Sequence, residues 1–359
     1  MKTAAHGDAP PPASTGPISQ RDIARHFGVS HVTVSLALRH SNRVSRVMGE
    51  RIREHAEAIG YRRDPILSAL AEYRHRKSCS VVRGAIAWIN AWSHPEEVRT
   101  YPEMERYWRG GSAAAAERGY RLEEFRLGTE LAPERVHQIL ETRSISAILL
   151  PPQLRPMAWT EFPWESYSIV GLGRCDQGPK CHQVLPGAAT NVGMALRKIR
   201  EKGYRRIGCM TGPSILRHAG YSMEDCLPAA RKDSGEELPL LDLTGVAGTR
   251  IPATIANWIR TNHIEAVLTD DHSLGRLVER AGFSVPGEVA LATLSRGKGD
   301  PFAGIDAELE EIGRTGIQML DSFMRESPAG PQRLLRQVAI EGTWIDGDSL
   351  PRIGKPLAA

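Results

Sequence analysis

ISQRDIARHFGVSHVTVSLALRHSNRVSRVMGERIREHAEAIGY, residues 18–61, carries start and stop signals for three short helices. Ser19 caps the first, with Asp22 at the position of a capping-box partner and Ile23, Ala24 and Phe27 on its apolar face. Gly28 suits a tight turn, because no Cβ opposes a left-handed backbone there. Ser30 caps a second helix whose inward residues are Val34, Ala37 and Leu38. Ser45 caps a third, with Ile52, Ala56 and Ile59 inward and Gly60 past its end. Three short helices around one small core, with the second presented outward, form a helix-turn-helix, the geometry that enters a DNA major groove.

Charge supports that reading. The 359-residue chain has a net charge of +4, unevenly placed. Residues 1–77 hold 13 Lys/Arg against 7 Asp/Glu, and the remainder holds 33 against 35. The positive excess therefore travels with the three-helix segment, as a phosphate-binding module requires. The length allows two or three domains with sizeable cores. Residues 1–17 are polar and rich in Pro and Ala, lack the apolar core of an export signal, and read as a disordered tail. No run approaches the length of a membrane span, so the expected setting is cytoplasmic with no membrane partner. Five cysteines, an odd number without C-x-x-C spacing, fit reduced thiols. Cys175, Cys181 and His182 do not follow a zinc pattern and read as loop residues. There is no G-x-S-x-G, phosphate loop or dinucleotide fingerprint, so neither an enzyme nor a cofactor is expected. Asp270-Asp271-His272 could be named an acid–base cluster, but adjacent side chains diverge at a helix start.

Beyond Tyr61, RRDPILSALAEYRHRK (62–77) reads as a short helix begun at Pro65, with Ile66, Leu67, Leu70 and Tyr73 on one side. From about Val81, apolar runs alternate with helical stretches. Strands are expected at 81–90, 146–152, 167–173, 205–213, 264–270, 289–295 and 335–340, and helices at 104–118, 189–202, 272–281 and 308–325. Such alternation predicts doubly wound parallel sheets, and its length suits two lobes.

The spacing Asp22-Ile23-Ala24, Gly28-Val29-Ser30, Thr33-Val34-Ser35, Val44-Ser45, Gly60-Tyr61 resembles the LacI/GalR family of bacterial transcription regulators. The resemblance continues in KGYRRIGCMTGP (202–213), RHAGY (217–221), AVLTDDHSLG (266–275) and VPGEVAL (285–291). It implies a small all-α helix-turn-helix head and a two-lobed α/β core like that of periplasmic binding proteins. The expected divisions are a tail at 1–17, a head at 18–61, a hinge or linker at 62–80, a core at 81–346 and a C-terminal tail at 347–359. Lobe 1 is expected at about 81–184 and 296–325, lobe 2 at about 185–295 and 326–346.

The family likeness also implies roles. His31 and Val32 open the second helix and would read base edges, His31 by hydrogen bonds and Val32 by apolar contact. Arg39 would reach a base or phosphate, Arg43 would add a contact from the loop, and Ser30, Thr33 and Ser45 would meet phosphates. Leu70 matches the hinge leucine that wedges into the minor groove, although Arg63-Asp64 and Leu67 depart from the family's hinge pattern. Arg217 and Asp271 match its effector-contacting Arg and Asp, and Asn90 and Trp92 follow the first strand as a sugar platform. QVLPGAATN (183–191) lacks an acid the family often carries, and LSRGKGD (294–300) puts Arg296 near a usual acid, which predicts a more acidic ligand than a neutral sugar. The expected partners are palindromic double-stranded operator DNA, a sugar-like effector and a second copy of the chain, with repression as the expected output. The competing expectation is a solute-binding sensor whose DNA head is vestigial.

Overall fold

The structure, a computed structural model, describes residues 19–38, 44–61, 84–90, 101–126, 132–153, 162–175, 178–213, 217, 219–220, 222–235, 237–297, 299–326 and 334–353. The chain divides into two compact units, one of residues 1–77 with 325–328 and one of residues 78–324 with 329–359.

In the first unit, helices α1 (Gln20–Phe27) and α2 (His31–Ala37) follow the capping signals of Ser19 and Ser30, whereas α3 (Arg46–Ala58) begins after Ser45 without the expected side-chain cap. The Asp22 carboxylate accepts from the Ser19 backbone N–H at 3.0 Å and from its hydroxyl at 2.7 Å. Those hydrogen bonds hold the Asp22 carboxyl below its ordinary range. Gly28 takes φ 63° and hands the chain from α1 into the turn. Ile23, Ala24, Val34, Ala37, Ile52 and Ala56 are buried together, with Leu38 and Ile59 packed beside them. Arg53 donates to the Ala37 carbonyl at 3.0 Å and so ties α3 to the end of α2.

The second unit holds two six-stranded sheets. Its strands are β1 (Gly84–Asn90), β2 (Tyr120–Arg126), β3 (Ala147–Leu150), β4 (Ser168–Leu172), β5 (His182–Pro186), β6 (Ile207–Thr211), β7 (Leu240–Asp242), β8 (Ala266–Thr269), β9 (Ala290–Thr293), β10 (Ala303–Asp306), β11 (Gln337–Ile340) and β12 (Thr343–Ile345). One sheet runs β11-β5-β4-β3-β1-β2 and the other β12-β10-β9-β8-β6-β7. All recorded pairings are parallel except β10 with β12. Central strands such as AILL in β3 are apolar at every position, as a sheet covered on both faces demands. The covering helices are α4 (Pro102–Glu117), α5 (Pro133–Thr142), α6 (Ala188–Glu201), α7 (Met223–Ser234), α8 (Ile251–Thr261), α9 (His272–Arg280) and α10 (Leu309–Glu326). In α6 the buried Val192, Ala195, Leu196 and Ile199 recur at helical spacing. Among the described residues, no helix is long and apolar enough to cross a membrane.

Three crossings join the lobes: Gly187 between β5 and α6, residues 307–308 between β10 and α10, and Glu341-Gly342 between β11 and β12. They converge. Gly187 donates to the Ile340 carbonyl at 2.7 Å, and Gly342 donates to the buried Asn191 side chain at 2.8 Å. This corrects two of the expected lobe limits. Residues 296–306 end in β10, which pairs with β9, so they belong to lobe 2 rather than lobe 1. Strand β11 pairs with β5, so it belongs to lobe 1 rather than lobe 2. The short GID stretch inside β10 carried too little apolar signal to mark a strand. The expected C-terminal tail is also corrected in its first half. Leu350 is fully buried, and the Ser349 hydroxyl accepts from Ala303 at 2.8 Å and donates to Leu291 at 2.7 Å.

Candidate functional site

In doubly wound folds a ligand lies beyond the carboxyl ends of the strands. Those ends bring polar groups together here. Asn90 closes β1, Thr211 closes β6, Asp270 and Asp271 follow β8, and Ser295 follows β9. All five are buried.

A cavity of about 400 Å³ opens between the lobes. Lobe 1 gives it Glu103 and Arg106 from α4; lobe 2 gives His272 and Arg276 from α9, and Ser295 and Arg296 from the following loop. Ser295 donates to Glu103 across the lobes at 3.5 Å, and His272 Nδ1 lies 3.9 Å from the same carboxylate. Burial pushes the Glu103 carboxyl above its ordinary value, and the nearby Asp271 adds to the rise. Arg106 meets Asp306 at 2.6 Å. Arg296 donates to the carbonyls of Phe302 and Asp300 at 2.9 and 2.7 Å, so it stitches its own loop while its charge stays without a carboxylate partner among the described residues. The wall therefore combines guanidinium groups with a carboxyl that burial disposes to hold a proton.

Asp270 lies deeper. Burial pushes its carboxyl up to about 7, against the pull of the Thr211 hydroxyl, which donates to Oδ2 at 2.5 Å. Its Oδ1 is buried without a hydrogen-bond partner among the described residues. An orphaned buried acceptor is costly, and a ligand hydroxyl would satisfy it. Asp271 caps α9, accepting from Ser273 at 2.7 Å through one oxygen. Arg217 donates to Asp242 at 3.3 Å, to Thr244 at 3.2 Å and twice to Glu224 at 3.2 Å, all within lobe 2. Asn90 donates to Glu124 on the neighbouring strand at 3.0 Å.

Of the effector residues expected from sequence, then, Arg296 lines the cavity, and Asp271 adjoins it through His272, 3.7 Å away. Asn90 and Arg217 are not among the lining residues. Trp92 lies outside the described residues. Sequence reasoning passed over Glu103 and set aside Asp270 and His272. Glu103 sits in PEMER, a stretch with no motif, and only the fold carries it to the opposite lobe. Asp270 and His272 were legible as part of a run of polar residues after a strand.

In the head, His31 and Val32 are exposed at the start of α2, Val32 at 53%. The Ser30 hydroxyl accepts from the Thr33 backbone N–H at 3.1 Å and so caps the helix, and it lies 2.9 Å from the Thr33 hydroxyl. Ser45 precedes α3 without a side-chain cap hydrogen bond. Arg39, Arg43 and Leu70 lie outside the described residues.

A family model described as "Bacterial regulatory proteins, lacI family" matches residues 20–64. This segment is a LacI-family head. The match spans the whole of α1 to α3, with the capped α2 in the position of the outward helix. Solved structures of LacI-family and related regulators share the fold of the longer chain. A transcriptional regulator CelR–cellobiose complex is 17% identical with a TM-score of 0.59, over 92% of this chain and 99% of that one. The lac repressor dimer bound to operator and the anti-inducer ONPF is 13% identical with a TM-score of 0.54, over 94% and 100%. The LacI family regulator CCPA from Weissella paramesenteroides, with bound glucose, is 15% identical with a TM-score of 0.54, over 76% and 100%. The core fold is that of these two-lobed regulators, which resembles periplasmic binding proteins. A search of curated proteins finds no match.

Proposed function

We propose that this chain is a LacI-type transcription regulator whose affinity for operator DNA is set by a small polar effector held between the lobes. The observation that carries the reading is the pairing, in one chain, of a LacI-family head with a core whose interlobe cavity draws polar groups from both lobes. The head comprises residues 18–61, a linker 62–80 follows, and the core begins near 81. In the head, the exposed His31 and Val32 read bases, with Arg39, Arg43, Ser30, Thr33 and Ser45 on bases or phosphates and Leu70 in the minor groove. One such module contacts few base pairs, so the regulator acts as a homodimer on a palindrome, as a repressor.

The effector is a saccharide or a sugar acid. The unpartnered Oδ1 of Asp270 suits a hydroxyl, as does the Asp271 carboxylate beside it, and Arg276 and Arg296 on the cavity wall suit an acidic group. Arg217 joins the ligand by exchanging one of its lobe 2 acceptors for it, and Asn90, at the carboxyl end of β1, and Trp92 are the remaining effector contacts of this reading. Ligand and operator each change the other's affinity by the same factor. The test is a thermal-shift panel on the full chain, pairing each neutral sugar with its sugar acid. A rise in melting temperature with acids that exceeds the rise with their neutral partners is expected. Binding of neutral sugars alone would overturn the acidic class, and binding of neither would overturn a saccharide effector.

A further inference from the structure

The contact between Cys175 and Cys181 is hidden by their spacing in the sequence. Strand β4 has Gly171 beside them, and a Cβ there would lie 2.5 Å from Cys175 Sγ and 3.4 Å from Cys181 Sγ. The absent side chain is the space the two sulfurs occupy. Their thiols hydrogen-bond to each other, which together with burial pushes the Cys181 thiol up. Cys181 is 3% exposed, whereas Cys175 is half-buried. Cys209 and Cys226 differ: both are buried in the main apolar core.

The pair also sits where the lobes touch. A Cβ on Gly173, two residues before Cys175, would lie 2.8 Å from Ala219 Cα of lobe 2. Arg174 Nη1 lies 3.6 Å from Asp225 Oδ2, and the Arg174 stem lies 3.1 Å from where a Cβ on Gly220 would be. The residue adjoining Cys175 is thus an interlobe contact. We propose that Cys175 and Cys181 form a reversible peroxide-oxidised dithiol, and that its closure to a disulfide loosens the contact between the lobes at Arg174.

The chemistry balances with a peroxide as oxidant. The half-buried Cys175 thiol gives up its proton, and its sulfur attacks one oxygen of hydrogen peroxide; the O–O bond breaks, the leaving hydroxide takes up that proton and departs as water, and Cys175 becomes a sulfenic acid. The Cys181 sulfur then attacks the Cys175 sulfur while its thiol proton passes to the sulfenic hydroxyl; the S–O bond breaks, that hydroxyl leaves as a second water, and the disulfide remains. Hydrogen-bonded thiols must close by more than an ångström to reach the ~2.05 Å of a disulfide. Cys181 is held by the core and Cys175 by a loop, so the loop moves and takes Arg174 with it. A dithiol reductant reverses the step.

The proposal goes beyond the regulator reading and needs neither DNA nor effector to be tested. Trypsin cuts after Arg174 and Lys180, so a disulfide would join the peptides 175–180 and 181–197. The full chain is treated with hydrogen peroxide, quenched and mapped without reductant, and its amide exchange is followed across residues 219–226. The expected result is the linked peptide pair, lost on reduction with dithiothreitol, with exchange at 219–226 several-fold faster in the oxidised protein. Cys175→Ser and Cys181→Ser should each abolish both changes. Absence of the linked pair would overturn the dithiol. A linked pair with unchanged exchange would overturn its coupling to the lobe contact. The oxidised and reduced natural chain suffice for both readings if a variant fails to fold.

Discussion

At the residue scale, two adjacent aspartates after β8 stand in different surroundings. Asp270 is nearly fully buried, and its carboxyl is raised to about 7 from an ordinary value near 4. The folded chain therefore keeps a proton that the unfolded chain has released between roughly pH 4 and pH 7, and stability falls as pH rises through that window. At about 1.4 kcal/mol per pKa unit the loss is on the order of 4 kcal/mol. Asp270→Asn should flatten the profile, read as the urea midpoint at several pH values; a variant profile parallel to the natural one would contradict the assignment. Asp271 caps α9 with one oxygen, a task that Asn performs equally well. Asp271→Asn should therefore leave the melting temperature almost unchanged and weaken effector binding about 10- to 100-fold, the worth of a charged hydrogen bond. Unaltered binding by calorimetry would remove Asp271 from the site. The sequence made Asp271 legible through its motif. It did not reveal that Arg217 is already saturated by Asp242, Thr244 and Glu224, because those partners lie 7 to 27 residues away along the chain. Nor did it single out Glu103, whose meaning depends on which lobe it faces.

At the element scale, the packing of α4 on α10 is the tightest feature of lobe 1. A Cβ on Gly110 would strike the Glu310 carbonyl, and one on Gly313 would strike the Tyr107 carbonyl, so the two backbones meet without side chains between them. Gly313→Ala should force the helices apart and lower stability by about 1–3 kcal/mol, measured by calorimetry; an unchanged melting temperature would show that the helices yield at no cost. Elements were legible wherever one period dominated. The three helices of the head, the apolar runs of β3, β4 and β8, and the amphipathic α6 all read directly. Strand β2, YRLEEFR, did not, because its exposed charged positions mask a strand lying at the edge of its sheet. Strands β7, β10 and β12 are three or four residues long and leave little periodicity to detect. Helix α7 hides behind an internal Pro228.

At the scale of the whole molecule, the three crossings explain how one effector could be felt far from its cavity. Two of them are joined by hydrogen bonds from Gly187 to Ile340 and from Gly342 to Asn191, so a closure of one lobe on the other would turn about that small cluster. Alternation of strands and helices made two lobes legible, but which strand crosses to which sheet is a property of pairing that no local pattern records. Removing residues 1–77 takes away the head and its positive excess; it should abolish DNA binding while leaving the thermal response to effector intact. Loss of both responses would mean that the core does not stand without the head. The most direct test of the central claim is selection from random DNA on the full-length chain, followed by anisotropy titration of the winning sequence at several salt concentrations. The account predicts a palindromic consensus of two half-sites, bound in the nanomolar range with affinity falling steeply as salt rises, as phosphate contacts require. Binding that is weak and indifferent to sequence would contradict it and leave the two-lobed core as the working part of the molecule.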